Sequence, residues 1–257
     1  MLKQFKKDNL VCKIYETRKE MGEAAAEEIS KKIISLLNEK ETLNMIFAAA
    51  PSQNEVLQAL VNNKNIEWSR INAFHMDEYI GLPDDAPQKF STFLKNAIFD
   101  KVPFKNVYLI NSGSGDCDAE CERYAGLLKE NPVDIVCLGI GENGHIAFND
   151  PDVADFNDKK VIKAVELDDI CRQQQVNDGC FKSLEQVPKT ALSLTIPTLT
   201  SADYMFCVVP APTKANAVYT TINGPVNEKC PATILRTHKN AVLYCDSDSG
   251  IKLLQEG

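Results

Sequence analysis

The chain has 257 residues, 44% apolar and 25% charged, ordinary for a soluble globular protein and enough for one large α/β domain or two small ones. Its net charge of −8 argues against nucleic acid as a partner, which calls for a basic stripe, but allows a local anion pocket built from a helix N-terminus and one or two cations. No apolar run is long enough to span a bilayer and the opening MLKQFKKDNL lacks the apolar core of a secretory signal, so cytoplasmic residence without a membrane partner is expected.

Residues 20–38 (EMGEAAAEEISKKIISLLN) are rich in helix formers with apolar positions at helical spacing, and predict the first helix. Residues 43–50 (LNMIFAAA) read as a buried strand, 54–61 as the helix behind it, and 71–75 as a second strand. MDEYIGLPDDAP follows, dense in Pro, Gly and Asp, and reads as a loop. Next come a helix over 90–98, a short strand over 107–110 and an amphipathic helix over 118–129. The most strand-like segment, 133–138, runs into Gly139-Ile-Gly-Glu-Asn-Gly144. Strands at 161–165, 204–209 and 241–245 and helices at 213–222 and 249–254 complete the pattern. This alternation implies an α/β fold: an open, mostly parallel, modified Rossmann-like sheet with helices on both faces, in a single domain over 1–257.

Ligands of such sheets bind outside the carboxyl ends of the strands, which selects the loops after Ala50, His75, Leu138 and Val209. GIGENG matches the G-x-G-x-x-G dinucleotide fingerprint, but HIAFNDPDVADF after it has a proline and no sustained apolar face for the helix that a pyrophosphate needs. The loop delivers His145, flanked by Asn143 and Asp150; a histidine carries protons near neutral pH, and an amide or carboxylate can set its tautomer. Capping of loop backbone is the plainer alternative for that histidine. Asp77, just past a strand, is a candidate general base, although acid pairs in loops are commonly only solvated. Lys214 opens a helix against the dipole, which a phosphate ligand would explain. Nine scattered cysteines, odd in number and without C-x-x-C, read as free thiols, and three histidines argue against a multi-histidine metal site.

Together, Phe74-His-Met-Asp-Glu-Tyr-Ile-Gly-Leu-Pro83, the loop from Gly139 to Pro151, Val187-Pro-Lys-Thr-Ala-Leu192 and the late lysine resemble the glucosamine-6-phosphate deaminase/isomerase family, which shares its fold with 6-phosphogluconolactonases. The resemblance implies a sugar-phosphate substrate: an amino-sugar phosphate is isomerised at C1 and C2 with release of ammonia, without metal or nicotinamide. It implies Asp77 as the base between C2 and C1, His145 as the ring-opening acid at O5, Asp150 in place of a glutamate beside that histidine, and Lys214 as a phosphate ligand.

The chain also departs from the family pattern. Asn143 stands where an aspartate is usual, and galactosamine-6-phosphate isomerases resemble it there. Asp150 is one methylene shorter than glutamate. The phosphate loop reads Ala49-Ala-Pro-Ser-Gln53, where Pro51 lacks a backbone donor and Ser52, Gln53 and the helix start are left to hold the anion. The arginine expected on the helix after Glu166 is displaced: Gln175 takes the aligned position, and Arg172, one turn earlier, is the candidate. Two alternatives stand beside the deaminase: a lactone hydrolase using His145 as base, towards which Leu194-Thr-Ile-Pro-Thr-Leu199 points, and a non-catalytic sugar-phosphate-binding protein. The sequence sets no oligomeric state.

Overall fold

The computed structural model describes residues 1–113 and 115–255. A hairpin of β1 (Lys3–Lys7) and β2 (Leu10–Ile14) precedes α1 (Arg18–Leu37), whose first turn is capped by the Thr17 hydroxyl accepting from the Glu20 N–H. β3 (Leu43–Phe47) leads through a tight turn at Pro51–Gln53 into α2 (Asn54–Asn62), then β4 (Ile71–His75), β5 (Asp77–Tyr79) and α3 (Phe90–Leu94), which widens into a π-type turn at Lys95–Phe99. β6 (Asn106–Tyr108), α4 (Cys117–Glu130) and β7 (Ile135–Leu138) bring the chain to the glycine loop. Beyond it lie β8 (Ile162–Glu166), α5 (Asp169–Asn177), β9 (Thr190–Leu194) and α6 (Ile196–Thr200). β10 (Tyr204–Val209), α7 (Ala215–Asn223), β11 (Ala241–Cys245) and α8 (Ile251–Gln255) close the described chain.

The main sheet runs β1-β2-β11-β10-β7-β3-β4-β6 and is parallel except at the β1–β2 hairpin. Its central strands are buried on both faces because their alternating side chains serve two cores. Met45, Phe47, Cys137 and Phe206 pack with Ile29 and Ile33 of α1 and Leu57 of α2. Ile46, Val136, Leu138 and Cys207 pack on the other face with Tyr124 of α4 and Val218 and Ile222 of α7. The expected sheet with helices on both faces is what the chain forms. The strand order switches direction between β3 and β7, which opens a crevice at their carboxyl ends.

A second, antiparallel sheet, β5-β9-β8, corrects two expectations. The stretch after His75 begins as β5, pairing Asp77 with Ser193, and becomes loop only beyond Tyr79, where glycine and proline start. The strand predicted at 161–165 pairs here with β9 instead of joining the parallel sheet. The strand predicted over 43–50 ends at Phe47, where its pairing with β4 and β7 stops, which frees residues 48–50 for the crevice. All nine cysteines are free thiols.

Candidate active site

The four loops selected from the sequence meet in one cleft. Its wall takes Ala48 to Ser52 after β3, Met76 and Asp77 after β4, Gly139, Gly141 and His145 after β7, and Pro210, Ala211 and Lys214 after β10. α1 adds Arg18, and α5 adds Gln174, Gln175 and Asp178.

The glycines of GIGENG are spaced for a histidine, not a nucleotide. A Cβ on Gly141 would lie 2.1 Å from Cε1 of His145, so only glycine lets the imidazole lie against the backbone there. A Cβ on Gly139 would meet Nε2 of Gln53 at 3.3 Å and Oγ of Ser52 at 3.4 Å, where the two loops touch. Gly144 takes a left-handed φ of 86° against the Cys230 thiol. The segment that follows turns through an Ile146–Asn149 bridge towards β8, and no helix opens within the loop.

His145 is held from behind. Its Nδ1 lies 2.8 Å from Oδ1 of Asn143 and 3.0 Å from Oδ1 of Asp150, both acceptors, so Nδ1 carries the hydrogen and Nε2 is free for the cleft. Nδ2 of Asn143 donates to Asp150 and to Asp168, each at 2.9 Å. Asn143 is thus a strut between two acids and the imidazole. Burial pushes the Asp150 carboxyl up, but the bond and charge of His145, the Asn143 amide and the Asp168 N–H outweigh it and hold the group below its ordinary range. The shorter Asp150 side chain therefore still reaches the histidine. Asn143 and Asp150 do not themselves face the cleft.

Asp77 faces it from the neighbouring wall. Burial, reinforced by the Glu78 charge, drives its carboxyl well above the usual range. Glu78 turns the other way and caps α3, its Oε1 accepting from the N–H groups of Tyr79 and Phe90 and its Oε2 from that of Ser91. His75, fully buried, pins the loop: Nδ1 donates to the Asp77 carbonyl at 2.9 Å and Nε2 accepts from the Ile110 N–H at 2.8 Å. The two walls are joined by rings, Phe148 lying 5.3 Å from Tyr79 and 5.4 Å from Phe90.

At the other end, Lys214 sits in a tight turn before α7, buried, with no hydrogen-bond partner for Nζ among the described residues. Burial lowers its pKa, against the pull of Asp178. Ser52 also faces the cleft. Two predicted phosphate ligands do not. Gln53 is buried and ties its loop to the strand ends, donating to the carbonyls of Leu138 and Val208. Arg172 donates to Asp169 and to the carbonyls of Leu184 and Val187, so the turn beyond α5 claims it and Gln175 takes its place on the wall. Sequence reading missed Asp246, which accepts from the N–H groups of Ala211 and Ser249 and holds Ala211 at a φ of 84° beside Lys214. No local pattern marks it, because its partners include another strand's loop.

His145, Asp150 and Cys171 also present ligand-type atoms within 4.8 Å of one another. A cation there would have to displace the bonds to Nδ1 and to Asp150 and deprotonate a thiol that burial and neighbouring acids push up.

A family model described as glucosamine-6-phosphate isomerases/6-phosphogluconolactonase matches residues 16–244. The chain belongs to that family. It is 35% identical over 240 residues to a glucosamine-6-phosphate deaminase of Bacillus cereus, covering 93% of this chain and 87% of that one. A deaminase of the same name from Bacillus cytotoxicus is 34% identical over 236 residues, 92% of this chain and 86% of that one. Among solved structures, a monomeric glucosamine-6-phosphate deaminase superimposes with a TM-score of 0.84 at 27% identity, covering 93% and 98% of the two chains. The 6-phosphogluconolactonase of Thermotoga maritima shares the fold at a TM-score of 0.74 and 20% identity, covering 92% and 99%. The curated relatives and the deaminase structure are named as enzymes that act on a sugar phosphate. No helix among the described residues is long and apolar enough to cross a membrane.

Proposed function

We propose that this chain is an amino-sugar-phosphate deaminase that converts glucosamine 6-phosphate, or its C4 epimer galactosamine 6-phosphate, to the ketose phosphate and ammonia. The observation that carries the reading is one cleft that holds, with no side-chain partner among the described residues, a buried carboxyl at Asp77, the Nε2 of His145 and the buried Nζ of Lys214. The named relatives support the same chemistry.

Protonated at Nε2, His145 donates to the pyranose oxygen O5 and opens the ring, with the ionised Asp150 behind it stabilising the imidazolium. Asp77 takes the proton from C2 and returns it to C1, a role suited to a carboxyl whose raised pKa lets it hold a proton and release it again. The shift turns the C2 amine into an imine; water adds at C2 and ammonia leaves. Lys214 and Ser52 hold the phosphate. Proton transfers and a hydrolysis make up the sequence, and these side chains supply them without metal or nicotinamide.

Ammonia release from both hexosamine phosphates, measured beside hydrolysis of 6-phosphogluconolactone, tests the reading. Ammonia from either amino sugar supports it. Lactone turnover without ammonia would replace it by the lactonase chemistry, and binding without turnover by a sugar-phosphate-binding protein.

A further inference from the structure

We infer that Arg18, at the start of α1, is the second cation that grips the substrate's phosphate; the inference rests on the sugar-phosphate reading above. α5 presents two amides and an acid to the cleft, Gln174, Gln175 and Asp178, while its arginine is turned away. Among the described residues, Arg18 and Lys214 are then the cationic side chains of the cleft wall besides His145, facing the carboxyls of Asp77 and Asp178. A sugar phosphate brings about −1.5 to −2 more charge at neutral pH. Lys214 alone would leave much of that uncompensated.

Arg18 is built into place. Its Nε–H donates to Oε1 of Glu55 at 2.7 Å and its Nη2 to the Pro51 carbonyl. The close approach of α1 and α2 makes this possible: a Cβ on Gly22, four residues on and on the same helix face, would lie 2.4 Å from Cβ of Glu55. Two of the five N–H groups of the guanidinium are used in this way, and the others have no partner among the described residues. Arg18 lines the cleft together with Pro51 and Ser52, and Pro51 is the one position of the loop that offers no backbone N–H. A charged donor thus replaces the missing neutral one, and a planar fork suits phosphate oxygens better than a lone amide would.

The test is steady-state ammonia release from glucosamine 6-phosphate by Arg18→Gln, with Arg18→Lys as the variant that keeps the charge and loses the fork. Arg18→Gln is expected to raise KM about 10- to 100-fold, the weight of a charge-assisted hydrogen bond, with kcat nearly unchanged and with the Ki of inorganic phosphate weakened in parallel. Arg18→Lys is expected to fall between Arg18→Gln and the wild type. A merely structural role would lower the melting temperature and leave KM and the phosphate Ki alone; wild-type KM and Ki in either variant overturn the inference. If the wild type releases no ammonia, the activity reading fails by itself, and calorimetric binding of inorganic phosphate decides Arg18. Weaker phosphate binding in the variants then supports its role, and equal binding, or none by the wild type, overturns it.

Discussion

Gly141→Ala puts one methyl group against the face of the imidazole. Gly141 is not among the glycines with left-handed backbone, so alanine demands only space. The new Cβ would lie 2.1 Å from Cε1, 2.3 Å from Nε2 and 2.4 Å from Nδ1 of His145, and regaining ordinary contact at 3.4 Å requires the ring to retreat by about 1.3 Å. Asn143 and Asp150 resist that retreat, because both hold Nδ1. A displacement of about 1 Å at a proton-transfer group costs about a hundredfold in rate. Steady-state ammonia release should therefore show kcat lowered by about two orders of magnitude, with a cooperative melting transition retained and KM little changed. A variant with wild-type kcat would show that His145 is not confined against this backbone or is not the proton donor.

Other substitutions separate catalytic from structural acids. Asp77→Asn should abolish ammonia release yet raise the melting temperature at neutral and alkaline pH: burial lifts the native carboxyl above its unfolded value, so its stability contribution is full below the unfolded pKa and is lost as pH rises through the native one. Thermal melts of both forms across pH check the sign. Asn143→Asp should weaken the enzyme, not improve it, since the fully buried Asp150 loses a donor, a cost of about 1–3 kcal/mol before carboxylate repulsion is added, readable by denaturant titration. Glu78→Gln should cost about 1–2 kcal/mol through the weakened cap of α3. It should also move the acid limb of the pH–rate profile to lower pH, because the charge that helps raise Asp77 is gone.

The central sheet is legible because its strands are short apolar runs: 204–209 and 241–245 coincide with β10 and β11. The edge strand β1, KQFKK, offers only one large apolar residue, and β5 is a strand only by virtue of β9, more than a hundred residues away. Asp77, His145 and Lys214 stand out in the sequence because residue type and strand end coincide. Gln53 and Arg172 have the right type at the right depth, yet carbonyls from distant segments capture both side chains. Arg18 escapes sequence reading for the opposite reason: it reaches the cleft from a helix start before β3, through a contact with Glu55 that no local pattern announces.

The most direct test of the proposed chemistry is the stoichiometry of ammonia and fructose 6-phosphate formed from glucosamine 6-phosphate by the wild type, Asp77→Asn and His145→Gln. Equal amounts of both products from the wild type are expected, with neither from the two variants, although both still bind inorganic phosphate. Undiminished products from Asp77→Asn, or ammonia without the ketose phosphate, would contradict it.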